Sequence, residues 1–223
     1  MAELIQGTAA VSNPGAIMKA LRVEHGWTLK DVAARTGIAA STLSKVENAK
    51  MSLTYDKLLR VSAGLGIDIA QLFGSPSAEE EAASRHTGRR TITRHGQGHA
   101  IDTPNYSHFY LAAELLNKQI IPIVADAKAR TLAEFGRLIR HVGEEYALVV
   151  EGAVEFNCEL YTPVVLQTGD AIYFDSSMGH AYLAAAAGRC RVLSICSSVT
   201  PAGTAPTLQP ELRIVRAQAG SDG

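Results

Sequence analysis

The spacing of apolar residues changes once along this chain, and that change constrains the fold more than any single motif does. From residue 14 to 73 apolar side chains recur at three- and four-residue intervals, the pattern of helices that bury one face. From 108 to 198 they fall in short runs separated by Gly, Pro, Asn and Asp, the pattern of strands joined by turns. One layer of secondary structure cannot serve both patterns. The expected fold is therefore an α+β multidomain chain, all-α first and all-β second. The stretch 74–107 holds GSPS, an EEE run, RHTGRR and HGQGH, and is polar and rich in chain breakers. The expected division is a helical domain at 10–75, a linker and lead-in at 76–107, a β domain at 108–200 and a weakly ordered tail at 201–223.

Local signals place five helices. Pro14 opens the first, with Ile17, Ala20 and Leu21 on one face. Thr28 is a good N-cap for the second, Asp31 sits at the reciprocal capping position, and Trp27 and Val32 occupy the places of a hydrophobic staple. Gly37 supplies the left-handed residue that ends this helix and allows a tight turn. The third helix is expected over roughly 40–48, with Leu43 and Val46 facing inward, and the fourth over roughly 55–65, closed by Gly66. A fifth begins at Asp68, with Gln71 as its capping partner, and buries Ile69, Leu72 and Phe73.

Two short helices joined through a glycine are common in plain helical hairpins. The full string LKDVAARTGIAASTLSKVENAK, followed by LLRVSAGLGIDIAQLF, is more specific. It resembles the xenobiotic-response-element family of phage-repressor-like helix-turn-helix domains over about 60 residues, including Ala33, Gly37, Leu43, Ser44, Glu47, Leu72 and Phe73. The resemblance implies that the third helix enters the major groove of a double-stranded DNA operator. Ala40, Ser41, Ser44 and Lys45 then become candidates for base contacts, and Thr42 and Asn48 for phosphate contacts. Thr28 and Lys30, at the start of the second helix, would lie near the DNA backbone. The plainer reading of Ser41 and Thr42 is that they cap the third helix. The chain departs from the family pattern at Ala39, where Ser is frequent, and at Leu29, where Gln is frequent. One such motif per chain implies a homodimer on the operator.

Charge fits this division weakly. The net charge is −1, but residues 1–76 carry eight Lys and Arg against six Asp and Glu, whereas 100–223 carry nine against thirteen. No apolar run is long enough to span a membrane, and no secretory signal is evident at the N-terminus. The three cysteines, Cys158, Cys190 and Cys196, lack zinc-ribbon spacing and are an odd number. They read as small buried residues in a reduced, cytoplasmic protein.

In the β region, RLIRHVGEEYALVVEGAVEF and TGDAIYFDSSMGHAY resemble the two motifs of the cupin family. Six residues separate Glu145 from Gly152, His141 stands at the second histidine position, and His180 follows Gly169 by eleven. Ile139 occupies the first histidine position, so one ligand of the family pattern is missing, and Ala184 stands where Asn is frequent. The resemblance implies a cupin barrel, a double-stranded β-helix, over roughly 108–198. Strand alternation puts Arg137, Ile139 and His141 on one face. If that face is the interior, His141, Glu145 and His180 can converge as a set for a divalent transition metal with open positions. Equally, they can be polar groups lining a pocket for an organic effector. Arg137, Ile139 and Tyr182 are further candidate effector contacts. The combined expectation is a DNA-binding transcriptional regulator whose cupin domain senses a small molecule. The alternatives are a metal-dependent dioxygenase or isomerase carrying a DNA-binding domain, and a toxin–antitoxin or scaffold role for the helices.

Overall fold

The computed structural model describes residues 10–11, 13–74, 89–94 and 97–197. The expected tail at 201–223 and much of the expected linker lie outside the described residues. Among the described residues, four α-helices lie in the first half, after a two-residue strand: α1 (Pro14–Glu24), α2 (Leu29–Thr36), α3 (Ala40–Glu47) and α4 (Tyr55–Leu65). The Thr28 hydroxyl accepts the Asp31 N–H while the Asp31 carboxylate accepts the Thr28 N–H, the reciprocal box read from the sequence. Gly37 ends α2 in the left-handed region at φ 64°. Ala39 gives α3 no side-chain cap, as its methyl group requires. The fifth helix is a 3-10 helix (Ile69–Phe73), not an α-helix, although its Asp68–Gln71 box forms as expected. It is closed by Gly74, which is left-handed at φ 89°. α1 and α3 approach closely at Gly15, where a Cβ would lie 2.1 Å from the Val46 carbonyl oxygen. They are bound by a two-pronged ion pair from Arg22 to Glu47 at 2.7 and 2.8 Å.

The described residues form ten strands: β1 (Ala10–Val11), β2 (His99–Asp102), β3 (Tyr106–Tyr110), β4 (Ile120–Ala127), β5 (Glu144–Glu151), β6 (Ala153–Cys158), β7 (Val164–Gln167), β8 (Ala171–Asp175), β9 (His180–Ala184) and β10 (Arg191–Ser197). A one-turn helix, α5 (Leu132–Phe135), precedes β5. Seven strands form one sheet in the order β1-β2-β3-β4-β10-β5-β8, and three form a second in the order β7-β6-β9. The expected barrel thus takes the form of two sheets packed face to face, with no closing ring of hydrogen bonds among the described strands. The chain passes between sheets at Gly152, where φ is 72° and a Cβ would meet the Arg189 carbonyl oxygen at 2.3 Å. Any side chain there would be strained twice over.

Two expected boundaries move. The position 108 falls inside β3, and β2 lies within the stretch read as linker. β1, inside the expected helical domain, pairs parallel with β2. The two halves also share one apolar core. Met18, Val32, Leu43, Leu58, Val61 and Leu72 belong to the same buried cluster as Ile101, Tyr110, Ile121, Ile123 and Cys196. Phe73 and Tyr55 lay their rings against Tyr110, with centroids 4.9 and 6.3 Å apart. The helical domain is therefore docked on the large sheet instead of hanging from a linker.

Candidate functional site

A cavity of about 40 Å³ lies between the sheets. Tyr106 and His108 reach it from β3, Ile123 and Ala125 from β4, Glu145 from β5, His180 and Tyr182 from β9, and Ser194 and Cys196 from β10. Ile139 and His141 line it from the segment before β5, and Tyr55 closes it from α4. Roughly 10–15 Å³ suffices for one water, so the space suits an ion with its waters or a very small ligand.

Glu145 is the hub, 3% exposed. Its Oε2 accepts from His141 Nε2 at 3.1 Å, and its Oε1 accepts from the Tyr182 hydroxyl at 2.8 Å and from the Ser194 hydroxyl. His180 Nε2 and Cys196 Sγ each lie 3.7 Å from Oε2. Burial opposes ionisation of Glu145, but the hydrogen bond from His141 and the facing histidine charges outweigh it and hold the carboxyl at about 2. Burial lowers His180 below its ordinary value and His108 to about 4, so both are neutral at neutral pH. His180 Nδ1 lies 2.8 Å from the Met178 carbonyl oxygen, which fixes Nδ1 as the donor and turns the Nε2 lone pair toward Glu145. The lining holds no Lys or Arg. The cavity is thus anionic at its centre and suits a cation.

Among the described residues, four buried side-chain polar atoms find no hydrogen-bond partner: the Tyr55 and Tyr110 hydroxyls and Nδ1 of His108 and His141. Three of these residues line the cavity. Native proteins pair the large majority of such atoms, so this concentration points to a polar occupant. Imidazole, carboxylate and thiol together fit a divalent transition metal.

The structure brings His141, Glu145, His180, Ile139 and Tyr182 to one cavity. Arg137 is exposed and does not line it. Strand alternation was carried too far back: only Ile139 makes a bridge, to His180, and Arg137 lies in the bend after Gly136. Seven lining residues carry no such signal in the sequence, and two of them, Cys196 and Tyr55, bear on the chemistry of the site. Cys196 is buried, as read, but stands directly opposite Glu145 in the β5–β10 pairing. Tyr55 belongs to the other half of the chain. The signal for either is a long-range pairing that local pattern does not carry.

On the helical domain, α3 buries Leu43 and Val46 and exposes Ser41, Lys45 and Asn48, with Ala40, Thr42 and Ser44 half-buried. Lys30 and Thr28 are exposed at the start of α2. Two of these side chains already have local work. The Thr28 hydroxyl donates to Asp31 at 2.7 Å, and Asn48 Nδ2 donates to the Ser44 carbonyl at 2.7 Å.

Residues 18–72 match the helix-turn-helix family, and residues 133–196 match the cupin domain family. The chain is 22% identical over 189 residues to the HTH-type transcriptional regulator PuuR of Escherichia coli (strain K12), covering 84% of this chain and 96% of that protein. It superposes on an HTH_3 family transcriptional regulator from Vibrio cholerae with a TM-score of 0.54 at 19% identity, covering 84% of this chain and 96% of that one. Hydroxypropylphosphonic acid epoxidase from S. wedmorenis superposes at a TM-score of 0.42 and 18% identity, covering 85% and 99%, which is too loose to bear on function. Among the described residues no helix is long and apolar enough to cross a membrane.

Proposed function

This chain joins a helix-turn-helix domain to a cupin domain, and we propose that it is a DNA-binding transcriptional regulator answering to the contents of its cupin cavity. A homodimer grips a double-stranded operator with α3 in the major groove. Ser41, Ser44 and Lys45 meet base edges there, with Ala40 offering an apolar contact. Thr42, Asn48, Lys30 and the α2 start at Thr28 meet phosphate. In the cavity, His141, Glu145 and His180 hold a divalent transition metal. When bound, the ion would supply a Lewis-acidic centre that a small effector reaches by expanding its coordination. One observation carries the regulatory reading: Tyr55, on the helix that follows α3, lines the cavity and meets the His141 ring edge-on at 4.9 Å. A change in the cavity is therefore felt directly by the DNA-binding domain. The enzyme alternative leaves the helix-turn-helix domain without a role.

The test starts from an operator selected out of a random duplex pool. Footprinting should show two half-sites centred about 34 Å apart. Lys45→Ala should weaken specific binding by roughly 1–3 kcal/mol, while Lys30→Ala mainly flattens the salt dependence. Zn(II) should change operator affinity in the wild type and not in the double variant His141→Ala with His180→Ala. No selected sequence, or an undiminished zinc response in the double variant, would refute the reading.

A further inference from the structure

The cupin pattern leaves one place in the ligand set without a donor, because Ile139 stands where a histidine is expected. A different donor comes from another strand. Cys196 is paired opposite Glu145 across β5 and β10, and both side chains turn into the cavity, 1% and 3% exposed. Its sulfur lies 3.7 Å from Glu145 Oε2, as does His180 Nε2, and His141 Nε2 lies at 3.1 Å. We propose that Cys196 is a thiolate ligand to the metal of this cavity, supplying the donor that Ile139 lacks. The proposal rests on reading His141, Glu145 and His180 as metal-holding residues.

Geometry supports it. A tetrahedral ion with bonds of about 2.0–2.2 Å to N and O and about 2.3 Å to S sets its ligand atoms roughly 3.3–3.7 Å apart. The three separations from Glu145 Oε2 lie close to that range, and the His180 ring has to turn toward the other donors to complete the set. Among the described residues, His141, Glu145 and Cys196 form the group whose donor atoms all lie within 4.8 Å of one another.

Charge supports it as well. The lining offers one carboxylate and no basic side chain except histidine. A divalent ion on Glu145 alone would leave a net positive charge buried, which is costly. A thiolate beside it brings the site to neutrality. The thiol proton leaves as the sulfur–metal bond forms, so each ion bound releases one proton from Cys196 to solvent. A thiolate also biases the site toward Zn(II), Co(II), Fe(II) or copper and away from Mg(II) and Ca(II). Cys190 has none of this setting: its thiol faces the carbonyls of Ala186 and Gly188.

Co(II) titrated into the metal-free full-length chain tests the proposal. The wild type should develop visible ligand-field bands together with a near-ultraviolet sulfur-to-cobalt charge-transfer band. Cys196→Ser should lose the charge-transfer band, keep visible bands and bind at least about tenfold more weakly, since even outer partners of metal ligands act on that scale. X-ray absorption of Zn(II)-loaded wild type needs no variant, and should show one sulfur at about 2.3 Å among N and O neighbours at about 2.0–2.1 Å. Visible bands without a charge-transfer band, or a shell of N and O only, would overturn the role of Cys196 while leaving the metal reading intact. No cobalt uptake by the wild type would overturn both.

Discussion

Replacing Tyr55 with phenylalanine removes one oxygen atom and asks whether the helical domain takes part in the chemistry of the cavity. Tyr55 is the first residue of α4 and 4% exposed. Its hydroxyl is buried with no well-formed hydrogen bond, and its polar neighbour is the Cys196 thiol, a weak partner. A buried hydroxyl left unsatisfied costs about 1–3 kcal/mol. Phenylalanine keeps the ring on His141 and Tyr110 and removes that cost. The small void left by the oxygen offsets part of the gain, so the metal-free variant should be more stable by about 1 kcal/mol. Tyr55→Ala removes the ring as well and should lose about 3–5 kcal/mol. The two changes thus have opposite signs at one position. Urea unfolding at pH 7, followed by circular dichroism with the m value checked for constancy, measures both. Added Zn(II) should then stabilise the wild type more than Tyr55→Phe if the bound ion or its water takes the hydroxyl as a partner. A metal-free Tyr55→Phe protein less stable than wild type by 1 kcal/mol or more would mean that the hydroxyl is already satisfied, and the argument would fail.

Glu47→Ala should cost about 3 kcal/mol, the low end for breaking a buried ion pair, because Arg22 is 17% exposed and keeps a hydrogen bond to the Trp27 carbonyl at 3.0 Å; a loss below 1 kcal/mol in urea unfolding would show that the pair is only surface decoration. His108 is held by burial at about 4, below its ordinary 6.5, so the unfolded chain binds the extra proton first as pH falls. Stability should therefore drop by about 3 kcal/mol between pH 6.5 and 4 from this residue, and His108→Gln should flatten that window. Superimposable stability–pH curves for the two proteins would rule this out.

The parts of the fold legible in the sequence are those fixed by neighbours a few residues away. The Thr28–Asp31 and Asp68–Gln71 boxes and the glycines at 37 and 66 each depend on a single turn of chain, and α4 runs over the residues its pattern predicts. What failed depends on distant partners. β2 begins in HGQGHAID, whose polar look hides a strand because its register is set by β3, which it pairs from His99–Tyr110 to Asp102–Ser107. Arg137 was placed by alternation, a rule that holds only while the backbone stays paired, and the pairing is confined to Ile139.

Tyr55 and Cys196 show the same limit at the site itself. Nothing near Cys196 in sequence distinguishes it from Cys190; only the β5–β10 register puts it opposite Glu145. Nothing near Tyr55 says that it reaches the cavity, because the shared core of the two halves is a tertiary fact. That shared core gives the regulator reading its physical content. α4 touches the cavity through Tyr55, and Arg60, farther along the same helix, donates to the carbonyls of Thr36 at 3.0 Å and of Gly37. These carbonyls belong to the turn between α2 and α3, the two helices of the DNA-binding motif. One helix therefore bears on the cavity at its first residue and on the motif's turn from its middle. Such an element transmits a signal only if the occupant binds two placements of α4 unequally. On the proposed function, the Tyr55 hydroxyl would supply that inequality, since a polar occupant bonded to it would favour the placement of α4 seen here.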